Sequence, residues 1–282
     1  MKISLDWLKD YIDIDLTAEE ISGTLSDLGF PVEDIDYLDN DIVLDVEVTS
    51  NRADCLSHIG VARELAAATG KELKLPEITY PELDKKANTL VAVRIDEPEM
   101  CGRYTARVIE NVKAGPSPAW MKNRLEAIGV RSVNNIVDST NYAMMETGQP
   151  PHAFDFDKIP TNKIVVRKAK AGESVVSIDE TNCKLDENML IIADENIPLA
   201  VAGVMGGLET EISDTTTRVL LEDAHFAPVC IRSTSRALTL SSESSFRFER
   251  NVDIAMIDWA SRRTAQLITM VAGGEVAQGV VD

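Results

Sequence analysis

Apolar positions recur along the chain with two different periods, and these predict its elements. Leu5, Leu8 and Ile12 are spaced as one face of a helix. Thr17 and Glu20 form a capping-box pattern ahead of Ile21, Leu25 and Leu28, and Gly29 is placed to stop that helix. In DIVLDVEVT, Ile42, Leu44, Val46 and Val48 alternate with mostly polar partners, which predicts a strand with one buried face. TSNRADCLSHIGVARELAAATG then reads as a loop followed by a helix ending at Gly70. LPEITYPELDKKANT, residues 75–89, holds two prolines and many charges and is the best linker candidate. Strands are predicted at about 89–96 and 102–110. A helix should follow with Ser117 as cap, Pro118 in its first turn and Gly129 past its end. Another helix, about 134–146, runs into Gly148. Short strands fill roughly 163–222, and a helix over 253–272 closes at Gly273-Gly274. The chain has no internal repeat. Strands and helices mix without regular βαβ alternation, which predicts an α+β class. The linker divides it into a small unit, residues 1–85, and a larger one, 86–282.

Composition narrows the function classes. Of 282 residues, 44% are apolar and 27% charged, the balance of a globular chain with a real core. No apolar run reaches the roughly 18 residues a membrane span needs, and MKISLDWLKDYIDID carries acids where a signal peptide would be apolar. Cys55, Cys101, Cys183 and Cys230 are scattered, which suits neither a zinc site nor a disulfide framework. A cytoplasmic setting without membrane contact is the expectation. The net charge of −19 disfavours broad wrapping of nucleic acid, so any RNA contact should be local or depend on another chain. The local positive excess lies at 230–263, where six arginines face four acids; a solvated face is its simplest reading.

Candidate chemistry centres on METGQPPHAFD. Pro150 and Pro151 fix the backbone ahead of His152, one of only three histidines. A held imidazole orients water or moves a proton, or simply bonds a carbonyl at a helix–loop corner. Thr140 and Asn141, in DSTNY, offer a hydroxyl and an amide to a polar ligand or to the helix end. AVAGVMGG (200–207) lacks the GK[ST] of a phosphate loop; its glycines allow close ligand approach or only a tight turn. Glu222 ends an apolar strand in TRVLLEDAHF, aimed either at solvent or at a bound group, and His225 reads as surface.

Several long stretches resemble the beta subunit of bacterial phenylalanyl-tRNA synthetase. They are MKISLDWLKDYI, VEVTSNRADCLSHIGVAREL, NNIVDSTNYAMMETGQPPHAFD, AVAGVMGG, LLEDAHF and SFRFERNVD, running from residue 1 to about 253. The resemblance implies that 1–85 is that subunit's N-terminal domain. It implies that 86–282 is its editing domain, which hydrolyses tyrosine wrongly esterified to phenylalanine tRNA. His152 then matches the histidine beside the scissile ester, and Glu222 the glutamate that accepts the tyrosine hydroxyl. Thr140 and Asn141 match the polar pair near the reacting end, and Gly206 a glycine of the wall. Ser242 stands where threonine is usual, and Ser244 where alanine often sets the room for the ring. His152 and Glu222 should face opposite ends of one bound aromatic amino acid. Hydrolysis should need no metal and no cofactor; ATP and Mg²⁺ would belong to a full ligase assembly. The implied partners are tRNA(Phe) carrying tyrosine and the synthetase alpha subunit. A non-catalytic tRNA- or protein-binding module with the same fold is the alternative.

The sequence departs from the family at defined points. Only a few residues separate GFPVED from DIVLDVEV, where a tRNA-binding barrel of roughly 100 residues is usual. The chain ends before the family's catalytic-like core. Pro151 replaces a common methionine, and Phe246 and Asn251 replace a usual histidine and glycine.

Overall fold

The computed structural model describes residues 1–282 and has an α+β fold built on two five-stranded sheets, a three-stranded sheet and eight helices. In the first part, strands Lys2–Ser4, Val32–Leu38 and Asp41–Val46 form an antiparallel sheet with the last in the middle. Thr17 and Glu20 cap helix Ala18–Asp27 reciprocally, as the pattern predicts, and Gly29 follows at φ +88°. Ser57 caps helix His58–Thr69, which ends on Gly70 in the left-handed region. The predicted 5–12 helix is only Leu5–Leu8; Ile12 instead bridges to Leu73.

Two other differences have plain causes. In Asp41–Val46, Val43 is buried as well as Leu44, because its cross-strand partner Ser4 is itself fully buried at the end of the first strand. Part of the expected linker is a strand: Glu82–Lys86 pairs in parallel with Glu275–Gln278 at a sheet edge, where its charged side chains face solvent. Ser117 is not a helix cap. Pro118 occupies that position before helix Ala119–Ala127, and the Ser117 hydroxyl donates to Asp138. The last helix begins at Ile257 rather than 253, and helices Pro228–Leu238 and Glu243–Phe248 precede it.

One five-stranded sheet runs in the order Glu82–Lys86, Glu275–Gln278, Cys101–Glu110, Arg218–Phe226, Pro151–Asp155. The other runs Met205–Gly206, Pro198–Val201, Leu190–Ala193, Lys163–Lys168, Ala92–Ile95. Alternation along Arg218–Phe226 assigns its two faces. Val219 and Leu221 pack with Ala265 and Ile268 of helix Ile257–Ala272. Leu220, Ala224 and Phe226 pack with Leu190–Ala193 and Leu199–Val201 of the second sheet. Glu222, in phase with Leu220 and Ala224, therefore points between the sheets. A further apolar cluster joins Trp7, Leu25 and Leu65 to Met121, Tyr142 and Leu267, so residues before and after position 85 share one core.

That shared core is pinned by a polar network. Glu146 is fully buried and accepts from the Tyr11 hydroxyl at 2.6 Å and from Nε and Nη2 of Arg263, each at 2.8 Å. His58 stacks on Trp7 and accepts from the Ser4 amide, which leaves Nδ1 to donate to the Met145 carbonyl. Glu146→Ala strands a buried cation and should cost about 3 kcal/mol of unfolding free energy, read from urea titration. A loss below about 1 kcal/mol would mean that Arg263 finds water instead.

Candidate active site

Helix Asn135–Thr147 starts on Asn134, whose side chain accepts from the amides of Ile136 and Val137, and ends on Gly148 at φ +82°. Gln149, Pro150 and Pro151 then turn the chain directly into strand Pro151–Asp155. Antiparallel pairing sets His152 directly opposite Glu222 on strand Arg218–Phe226. Paired residues project to the same face, so both side chains enter the space between the sheets.

The seven predicted positions all line one cavity of about 360 Å³. Thr140 and Asn141 arrive from the helix, His152 from the strand after it, and Glu222 from strand Arg218–Phe226. Gly206 comes from an edge strand, and Ser242 and Ser244 from the start of helix Glu243–Phe248. The remaining wall is largely apolar, with Val137, Met144, Ile178, Val204 and Phe248 among its residues.

Their local bonding differs. Glu222 is 4% exposed and accepts from the Tyr104 hydroxyl at 2.8 Å. Burial pushes its carboxyl up to about 8, with the Tyr104 hydrogen bond acting in the other direction. His152 is half-buried and makes no protein hydrogen bond; its ring meets Phe154 edge-on, centroids 4.4 Å apart. Burial pushes its imidazole down to about 4, so it is neutral at physiological pH. Thr140 returns its hydroxyl to the Val137 carbonyl at 2.7 Å, while the Asn141 amide has no protein partner. Ser242 caps its helix and donates to the Val204 carbonyl at 2.8 Å, so its hydroxyl is already engaged. The Ser244 hydroxyl has only Met144 Sδ, 3.7 Å away.

His152 and Glu222 are ladder neighbours, and only their tips separate. The Glu222 carboxyl leans to Tyr104, on strand Cys101–Glu110, which flanks Arg218–Phe226 on the side away from His152; His152 leans to Gly206. His225 is half-buried, its Nε2 2.9 Å from Asn251 Oδ1, so it is not simply a surface group. Asn251 has φ +74°, the conformation that suits the glycine usual there. Tyr104 went unnoticed in the sequence, although period-2 alternation puts it on one face with Ala106 and Val108. The one acidic cluster with metal-ligand spacing, Asp54, Cys55 and Glu64, lies elsewhere and is paired with Arg52 and Arg63. All four cysteines are free, and no helix is long and apolar enough to cross a membrane.

Residues 100–273 match the model of the B3/4 domain. The chain belongs to the B3/4 domain family. The match includes both helices and all strands that bound the cavity. Two curated relatives are phenylalanine–tRNA ligase beta subunits. That of Rhodopirellula baltica is 51% identical over 282 residues, all of this chain and 41% of the relative. That of Anaeromyxobacter dehalogenans is 50% identical over 254 residues, 90% of this chain and 32% of the relative. The B3/4 chain thus spans less than half the length of these relatives. A solved structure, an N-terminal fragment of the phenylalanyl-tRNA synthetase beta subunit from Pyrococcus horikoshii, covers 98% of this chain and 75% of its own at TM-score 0.48 and 14% identity.

Proposed function

We propose that this chain hydrolyses the ester of tyrosyl-tRNA(Phe), acting as the editing portion of a phenylalanyl-tRNA synthetase beta subunit. The observation that carries the reading is the cavity itself. It has the volume of a small-molecule site, mostly apolar walls, one buried carboxyl and one neutral imidazole. Such a site suits an aromatic ring bearing a single hydroxyl. A hydrophobic pocket that selects phenylalanine rejects an added hydroxyl by only about 100-fold. A second site that hydrogen-bonds the phenol separates the two amino acids further, because phenylalanine leaves the buried polar group unpaired.

In the reaction, water adds to the ester carbonyl and the bond to the ribose oxygen breaks. Tyrosine leaves as the acid, and the released 3′-oxygen takes the proton. An imidazole held near 4 is a weak base at neutral pH, so His152 serves by hydrogen-bonding and orienting water or ester. Asn141, with its amide free, is placed to orient the reacting end, and Thr140 shapes the wall beside it. No cofactor is required, since the ester is already activated and rate can come from positioning. Arg131 lies exposed between the wall residues Val130 and Val133 and makes no ion pair, which suits a phosphate of the incoming RNA. The alpha subunit is proposed as the partner in a full assembly, on the strength of the relatives.

The deciding measurement is release of tyrosine from tyrosyl-tRNA(Phe), with phenylalanyl-tRNA(Phe) as comparison, by the unmutated chain and by His152→Ala. We expect tyrosine release at least about 10-fold faster than phenylalanine release, and a loss of about 100-fold in the variant. Background release by both proteins, with tRNA still bound, would favour a non-catalytic binding module.

A further inference from the structure

We propose that Tyr104 is the positioning residue for tyrosine specificity: its hydroxyl holds Oε2 of Glu222 and so presents Oε1 to the ligand's phenol. The proposal rests on the hydrolytic reading above and assigns its discrimination to a pair of residues rather than to one.

Three observations support it. Tyr104 is 1% exposed and belongs to the core between the two sheets, so its ring has no freedom to follow a mobile carboxyl. Its hydroxyl donates to Oε2 at 2.8 Å, and this is the only hydrogen bond the protein makes to the Glu222 side chain. Glu222 has three rotatable side-chain bonds, so in an apolar cavity this single donor decides where its second oxygen lies. Strand register fixes the donor in turn: Tyr104 pairs with Ala224, two residues along from Glu222 and on the same face.

The arrangement also sets the state of the acid. Cys101 and Tyr104 face Glu222 from one neighbouring strand, and His152 from the other. Asp223 lies next in the chain on the opposite face, and Glu211 and Glu243 lie farther along the cavity wall. Of these, Tyr104 is the one that hydrogen-bonds to Glu222, stabilising its ionised form against burial. Removing the hydroxyl must raise the Glu222 midpoint.

The test is Tyr104→Phe, which deletes one oxygen and keeps the ring. Carbon-13 NMR of carboxyl-labelled glutamate follows Glu222 across pH 5–10 in both proteins. In parallel, calorimetry compares 3′-tyrosylamino-adenosine with 3′-phenylalanylamino-adenosine, which carry an amide where the ester would be. We expect the midpoint to rise by about one unit. Preference for the tyrosyl analogue should fall about 10-fold, with phenylalanyl affinity unchanged. A merely structural role would weaken both analogues together and leave the midpoint in place, and that result overturns the proposal. Equal binding of the two analogues by the unmutated protein would instead refute the tyrosine reading itself. Clear preference together with an unmoved midpoint would refute only the part assigned to Tyr104.

Discussion

Glu222→Ala is expected to lower kcat/KM for tyrosyl-tRNA(Phe) by about 10- to 100-fold and to change that for phenylalanyl-tRNA(Phe) by no more than about twofold. The asymmetry follows from what the carboxyl touches. It lies in a cavity whose other walls are largely apolar, so on the proposed reading it would bond a hydroxyl on the ring and nothing that phenylalanine carries. Equal losses on both substrates would make Glu222 part of the hydrolytic machinery rather than of recognition. The pH dependence sharpens the test. With a midpoint of about 8, ionised Glu222 becomes the stronger acceptor as pH rises, so tyrosine preference should increase from pH 7 to 9. Glu222→Gln should abolish that increase.

Loss of fold is excluded as the cause by the sign of linkage. A carboxyl near 8 in the native state and about 4.5 when unfolded gives the native state the extra proton between those values. Its contribution to stability is complete below about 4.5 and declines as pH rises through 8. His152 and His58, both pushed down to about 4, act oppositely between 4 and their ordinary 6.5. Above 6.5 the histidine effect is spent, and the share of Glu222 in the decline is about 2 kcal/mol up to pH 8. Asp223, whose carboxyl burial also pushes up, acts in the same direction and is present in parent and variant alike. Glu222→Gln should therefore be more stable than the parent at pH 8 while being less selective.

Local signals in the sequence were read well where one side chain decides a conformation. Thr17 with Glu20, Gly29, Gly70 and Gly148 all end or begin helices because capping and positive φ are properties of single residues. Strand Val32–Leu38 gives no clear pattern because three acids interrupt it and Tyr37 and Leu38 are exposed, and Glu82–Lys86 gives none because an edge strand tolerates charge. Helix Pro228–Leu238 buries Thr234 and Ser235 beside Ile231, a face that apolar spacing does not reveal. The site poses a different problem. His152 and Glu222 are 70 positions apart and meet through strand register, which periodicity alone does not specify. Each is a candidate by itself, His152 behind its two prolines and Glu222 at a strand end, but their roles, and the choice of Gly206, Ser242 and Ser244, rest on the resemblance of whole motifs. Tyr104 lay outside those motifs, within an otherwise apolar face, and only the fold connects it with Glu222.

Gly206→Ala is expected to reduce tyrosine release about 100-fold while moving Tm by no more than a few degrees. A Cβ at this position would lie 2.5 Å from Cε1 and 2.8 Å from Nε2 of His152, and 2.8 Å from Ile178 Cδ1. One of these groups has to give way. The His152 backbone is paired to strand Arg218–Phe226, and Phe154 supports one side of its ring. The strand holding residue 206 has only two residues and lies at a sheet edge, so its backbone yields more cheaply. Either movement breaks the register between imidazole and ester, and a displacement of about 1 Å suffices for the expected loss. The global fold has little at stake, since Gly206 has an ordinary negative φ and the edge strand adds few hydrogen bonds. Nitrogen-15 shifts of the His152 ring distinguish the two adjustments: a moved ring changes them, and a moved edge strand leaves them nearly as they were. Undiminished hydrolysis together with altered ring shifts would show that the imidazole has no part in orienting water or ester.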